Sequence, residues 1–210
     1  MARASPDRDA ALAQYRQRAA IYDLELALFE QVRRRAIEAL GLQRGQTVLD
    51  LACGTGLSFE GLRAGVGASG QVVGIEQSPE MIALARERVK GRRWRNVRLI
   101  AAPVEAAQIG VSADAALFHF THDVLRRPEA VANVLRHLRP GARVVASGLK
   151  WAGRRSPVNL LVWPAALRSV TSLEGLGRPW SHLQPALEDF HVRSTLLGGV
   201  YIASGNLRGL

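Results

Sequence analysis

Apolar residues recur along this chain in short runs separated by longer amphipathic stretches. The runs at 47–52, 71–76, 97–101, 114–119 and 142–147 are apolar almost throughout, as strands are when both faces of a parallel sheet are covered. Ser78-Pro79 supplies a helix N-cap followed by a proline at the first helical position. Pro128 opens a helix carrying Val131, Val134, Leu135 and Leu138, and Pro140-Gly141 is expected to break it before the fifth strand. Strand alternating with helix predicts an α/β fold built on a doubly wound, mostly parallel sheet. Two further runs, 192–197 and 200–204, flank Gly198-Gly199 and predict a C-terminal antiparallel hairpin, making seven strands in all.

The ends of this pattern differ from its middle. Asp7 or Asp9 is placed to cap a helix, in one or two pieces, that runs to about Leu40 and is ended by Gly41 and Gly45. Leu24, Leu26, Leu28, Phe29, Val32 and Ile37 give it a stripe that can pack on a sheet. Residues 148–182 fall outside the alternation and hold Trp151, Trp163 and Trp180. A long connection of this kind reads either as a functional lid or as a structural cover for one sheet edge. Plain core packing is expected more for Trp163 than for the other two. The chain is read as one domain, 1–210, with a helical cap at 1–45 and a lid or substrate segment at 149–182.

Charge adds a preference without a motif. The net charge is +10 and the cations are almost all arginine, the lysines being Lys90 and Lys150. Such an excess attracts phosphates, anionic headgroups and nucleic acid. Its clusters are short and scattered over what reads as a solvated surface, with no long basic run interleaved with aromatics. Cys53 is the single cysteine, so no internal disulfide forms. The longest apolar run, Leu160–Leu167, contains Pro164 and is too short to span a bilayer. The N-terminus lacks the apolar core of a secretory signal, and a cytoplasmic location is expected.

The candidate chemistry sits where the first strand ends. Val48-Leu49-Asp50-Leu51-Ala52-Cys53-Gly54-Thr55-Gly56-Leu57 is an apolar strand entering a small-residue loop that opens a helix. Glycines let backbone close on a ligand, and a helix start offers unpaired N–H groups. The second strand, Val72-Val73-Gly74-Ile75, ends in Glu76, an acid placed to accept hydrogen bonds from ribose hydroxyls. The pair describes a pocket for a nucleoside-bearing cofactor. Dinucleotide loops read G-x-G-x-x-G, and here Phe59 stands where the third glycine belongs, which disfavours a nicotinamide oxidoreductase.

Asp50-Leu51-Ala52-Cys53-Gly54-Thr55-Gly56 resembles the first motif of class I S-adenosylmethionine (SAM)-dependent methyltransferases, and the order of later strands and the final hairpin are similar to that family from about Tyr15 to Ser204. The resemblance implies a Rossmann-like seven-stranded fold, SAM as cofactor and S-adenosylhomocysteine as product. It implies that Asp50 and the backbone of Ala52, Cys53, Gly54, Thr55 and Gly56 surround the amino acid end of SAM, that Glu76 holds the ribose, and that Gln77 and Met81 lie by ribose and adenine. Pro103 occupies the position where many relatives carry an acid near the adenine amine and cannot replace it, leaving Val104 and Glu105 as the residues to serve there. Tyr15 and Tyr22, in the segment that folds over the cofactor in many relatives, complete this set with Phe118.

The fourth strand leads into Phe118-His119-Phe120-Thr121-His122-Asp123, and strand ends of an open parallel sheet line the ligand crevice. His122, His119 and Asp123 are the candidates for proton handling near neutral pH, His122 first among them. His119 reads equally as a sheet-end hydrogen-bonding residue and Asp123 as a helix cap. His-x-x-His-Asp is a weak metal signal, and no metal is expected. Lys150, Trp151 and Trp180 are candidates for the acceptor side. The acceptor is expected to be a small molecule, with an amine or a lipid-linked amine favoured and peripheral contact with an anionic membrane as its corollary. The rivals are a nucleic-acid methyltransferase, disfavoured by the lack of an added RNA-binding domain or an Asn-Pro-Pro-Tyr-like motif, and a SAM-binding protein without turnover.

Overall fold

A computed structural model describes residues 29–153, 156–169 and 172–209. The predicted strands form, and with them helices of the expected placement. In chain order these are α1 (Glu30–Ala39), β1 (Thr47–Leu51), α2 (Phe59–Val66), β2 (Gln71–Glu76), α3 (Pro79–Gly91), β3 (Val97–Ala101), β4 (Ala113–His119), α4 (His122–Leu125), α5 (Pro128–Leu135), β5 (Leu138–Leu149), α6 (Asn159–Ser169), β6 (Leu187–Thr195) and β7 (Val200–Leu207). They make a seven-stranded sheet in the order β3-β2-β1-β4-β5-β7-β6. Strands β1 to β5 pair in parallel, while β7 runs antiparallel between β5 and β6.

Alternation along each strand divides the core into two layers. Leu49, Leu51, Val73, Ile75 and Phe118 lie on one face with Val131 and Val134 of α5. Val48, Val72, Ala115 and Leu117 lie on the other, beneath Val32 and Ala36 of α1 and Phe59, Leu62 and Val66 of α2. The cap of α3 forms as its sequence predicts: the Ser78 hydroxyl accepts the Met81 N–H at 3.2 Å, with Pro79 in the first turn.

Two expectations need correction. Pro140-Gly141 does not separate helix from strand; it lies inside β5, where the pairing with β4 slips between Ala113↔Leu138 and Ala115↔Arg143. The slip leaves an irregularity at the entry of β5, where a proline without an N–H and a glycine with φ of 78° are tolerated. The tryptophans are also reversed. Trp163 is 54% exposed, whereas Trp180 is in the core, with its ring 4.9 Å from that of Tyr201. The start of the N-terminal helix, and with it Tyr15 and Tyr22, lies outside the described residues.

Candidate active site

The sheet order reverses between β1 and β4, and the carboxyl ends of the strands beside that reversal frame a crevice. It is lined from β1 by Ala52 and Gly54, from β2 by Glu76 and Gln77, and from β4 by Phe120, Thr121 and His122. Met81, Val104, Glu105, Asp123, Val124 and Arg127 complete the wall. Ala52 and Phe120, on the two sides, both adopt left-handed backbone, with φ of 50° and 56°. Non-glycine residues in that region cost on the order of 1–3 kcal/mol and cluster at ligand sites.

Glu76 organises the floor. Its Oε2 accepts the Gly54 N–H at 3.0 Å and its Oε1 the Ser78 N–H at 2.8 Å, so one buried carboxylate ties the β1 loop to the start of α3. Burial raises its pKa against the lowering effect of the backbone N–H groups of Ser78, Gly54 and Gln77. The loop above it needs its small residues. A side chain on Gly74 would meet Phe59 at 2.7 Å and the Cys53 sulfur at 3.0 Å, and one on Gly56 would meet the Phe59 ring at 2.3 Å. Cys53 thus packs back toward β2, and burial pushes its thiol pKa up, away from a nucleophile's.

Asp50 lies behind this floor, 2% exposed, with Oδ2 lacking a hydrogen-bond partner among the described residues. Burial pushes its carboxyl up to about 8, with the charge of Arg33 opposing the shift. Arg33 is a buried cation of α1, ion-paired with Glu30, and its field also reaches His119. No sequence motif singles it out. Helical spacing carries the signal that was available: Arg33 shares a face with Phe29 and Ala36 rather than with exposed Arg34 and Arg35.

The two histidines are differently held. His119 Nδ1 lies 2.7 Å from the Ser147 hydroxyl, its cross-strand neighbour on β5, and its Nε2 is buried without a partner among the described residues. Burial and Arg33 hold its pKa down to about 3. His122 Nε2 lies 2.9 Å from the Glu174 carbonyl. A carbonyl only accepts, so Nε2 carries the proton and Nδ1 carries a lone pair. That Nδ1 is buried and unpartnered among the described residues. Burial lowers the His122 pKa below its usual 6.5, so the ring is neutral at pH 7.

Other expected residues separate from the crevice. Phe118 is fully buried in the sheet core, and Phe120, two residues on, takes the wall position. Thr55 and Gly56 are buried behind the loop. Lys150 donates to the Trp151 carbonyl, Trp151 packs on the second core layer, and Trp180 is in the first; none lines the crevice. Glu105 does line it, paired at 2.7 Å with Arg127, a crevice cation the sequence did not single out. Among the described residues no cluster of metal-ligating side chains forms.

Comparison with known proteins adds to this picture. A profile described as a methyltransferase domain matches residues 48–141, from β1 into β5. Over these residues the chain is similar to methyltransferases. It is 27% identical over 164 residues to the 2-phytyl-1,4-naphtoquinone methyltransferase of Synechocystis, covering 74% of this chain and 67% of that protein. It is 34% identical over 125 residues to the ubiquinone/menaquinone biosynthesis C-methyltransferase UbiE of a Geobacter species, covering 58% of this chain and 53% of that protein. The chain thus spans about half to two thirds of these relatives' length, and a third of another, a protein of a Streptomyces fradiae transposon. The methyltransferase fold is shared with the N-methyltransferase NodS of Bradyrhizobium japonicum, solved with S-adenosylhomocysteine: TM-score 0.63, 17% identity, 86% of this chain and 88% of that one.

Proposed function

We propose that this methyltransferase binds SAM in the crevice between β1, β2 and β4 and transfers its methyl group to a small-molecule acceptor. The observation that carries the reading is the Glu76 carboxylate at the end of β2, fixed against Gly54 of the β1 loop. The residues present fit such a cofactor. Glu76 has about four lone-pair sites and spends three on backbone N–H groups, leaving one for a sugar hydroxyl. The unpartnered Asp50 Oδ2 suits an ammonium group, whose charge would draw the carboxyl to its ionised form. Met81 and Val104 offer apolar contact beside Gln77.

SAM supplies a methyl group already activated by its positive sulfur. The chain's task is then to hold the acceptor in line, exclude water and take a proton, and positioning alone is worth several kcal/mol. His122 is the proton acceptor in this reading, because it is neutral and its Nδ1 lone pair has no partner among the described residues. Asp123 lines the crevice next to it. His119 supports the end of the sheet through Ser147. The Glu174 carbonyl, bonded to His122, and Leu176 nearby support a covering role for this part of 149–182. The named relatives methylate quinones, which supports a small molecule over nucleic acid as acceptor.

The test is calorimetry with SAM and with S-adenosylhomocysteine, followed by mass spectrometry with isotopically labelled SAM. The acceptors offered are amines, lipid-linked amines and hydroxylated rings. Micromolar cofactor binding and labelled product are expected. Cofactor binding with no product from any acceptor would instead favour a SAM-binding protein without turnover.

A further inference from the structure

A groove on the α1 side of the sheet shares no lining residue with the crevice. It lies between α1 and the strands β5, β7 and β6, and its volume is about 840 Å³. That falls within the roughly 300–1,000 Å³ of pockets that take small-molecule ligands. Strand register sets its floor. Arg143 of β5 pairs with Asn206 of β7, while His191 and Arg193 of β6 pair with Ser204 and Ile202. Arg35 and Ala39, one helical turn apart, form the facing wall on α1.

The groove gathers positive charge that the fold leaves unpaired. Arg35, Arg143 and Arg193 line it against one carboxylate, Glu38. Elsewhere Arg126, Arg127 and Arg139 each pair with a carboxylate; among the described residues the three groove arginines do not. Arg143 is half-buried and held by neutral groups. Its Nε donates to the Ala39 carbonyl at 3.1 Å, and its terminal nitrogens donate to Asn206 Oδ1 at 3.2 Å and the Ser204 hydroxyl at 3.0 Å. A guanidinium has five N–H donors, so one remains on each terminal nitrogen. The fork is oriented before a ligand arrives, and its charge is not neutralised. Scattered surface charges are screened beyond about 8 Å at physiological salt, whereas cations sharing a concavity reinforce one another.

These cations are spread along the groove. Asn206 and Ile202, the β7 partners of Arg143 and Arg193, are four residues apart, or about 13 Å along the strand. We infer that the groove binds a small organic phosphate carrying more than one phosphoryl group, with Arg143 holding one, Arg193 another, and Arg35 reaching across from α1. Arginine forks match phosphate oxygens in pairs of N–H bonds. The Ser204 hydroxyl accepts from Arg143 and keeps its own O–H to donate to the same phosphate. Ile202 and Ala39 supply apolar surface for the ligand's carbon skeleton.

The test is calorimetry on the full chain without added cofactor, at about 0.15 M salt. The probes are fructose 1,6-bisphosphate, fructose, citrate and a single-stranded RNA dodecamer. The bisphosphate is expected to bind with a dissociation constant below about 1 mM, fructose not measurably, and citrate at least about tenfold more weakly than the bisphosphate. Arg143→Gln and Arg193→Gln are each expected to weaken the bisphosphate about tenfold. Arg136→Gln removes one exposed charge outside the groove and is expected to change it by less than about twofold. Arg143 ties Ala39, Ser204 and Asn206 together, so the exposed Arg193, whose side chain makes no such contact, is the variant that decides if Arg143→Gln fails to fold. No binding of the bisphosphate, citrate binding as tightly, an equal loss in Arg136→Gln, or affinity unmoved by Arg193→Gln overturns the inference. RNA binding more tightly than the bisphosphate overturns it in favour of a nucleic-acid backbone. None of these readings involves SAM, so the crevice assignment is tested separately.

Discussion

Glu76 holds Gly54 by a 3.0 Å hydrogen bond across the gap between two parallel strand ends, so the cofactor loop is shaped by the same carboxylate that faces the crevice. Losing that group therefore has two effects. Glu76→Ala is expected to weaken SAM binding by at least about tenfold, through lost charge-assisted hydrogen bonds and a loosened loop. Calorimetry measures it, and affinity unchanged in this variant would remove the crevice from the argument.

Asp50 links binding to protons. With its carboxyl held up to about 8, the free protein carries this proton at pH 7. An ammonium placed against it releases the proton, so SAM binding enthalpies at pH 7 should vary among buffers with the buffer's ionisation heat. Asp50→Asn should abolish the variation and weaken binding about tenfold. Stability follows the same sign: a carboxyl raised in the folded state favours folding fully below about pH 4, and that contribution is lost as pH rises through about 8. The Asn variant should lose less stability than the parent between those limits in denaturant titrations.

Turnover should depend on His122 as a base. The lowered pKa predicts an acid limb centred below pH 6.5 and a flat rate above it, until other groups intervene. His122→Ala should cut kcat by roughly 10²–10⁴-fold while shifting SAM affinity little. A normal rate and an unchanged acid limb in that variant would make His122 a structural residue.

Gly56→Ala tests the loop sterically. The glycine has φ of 81°, and an added carbon lands 2.3 Å from the ring of Phe59, which is fully buried. A cost of about 2 kcal/mol is expected, or roughly 4–8 °C in melting temperature for a chain of this size. Thermal denaturation with and without SAM would show the loss together with reduced ligand stabilisation.

The tryptophans should respond in opposite ways. Trp180→Ala opens the core beside Tyr201 and Phe190 and should cost about 3–5 kcal/mol. Trp163→Ala, at an exposed site, should stay within about 0.5 kcal/mol. Urea titrations of both variants make the comparison.

The alternation of strand and helix, the capped start of α3 and the final hairpin were legible in the sequence, because each is set by local spacing: apolar runs with both faces covered, Ser78-Pro79, and glycines between two β-rich runs. So were the residues at the ends of β1 and β2, since glycine and a strand-terminal acid are constrained by backbone geometry wherever this loop forms. The parity of a strand decided the next step against the sequence reading. Phe118 lies in β4 and Phe120 just beyond it, and only sheet packing puts one in the core and the left-handed turn of the other on the crevice wall. Arg33, Arg127, Ser147, Leu176 and Tyr201 come from five separate stretches and share no spacing. Their meeting depends on which strands neighbour β4 and on how the segment after α6 returns across the sheet end. Local chemistry thus specified the strand ends that line the crevice, and long-range packing alone decided which residues from the rest of the chain stand beside them.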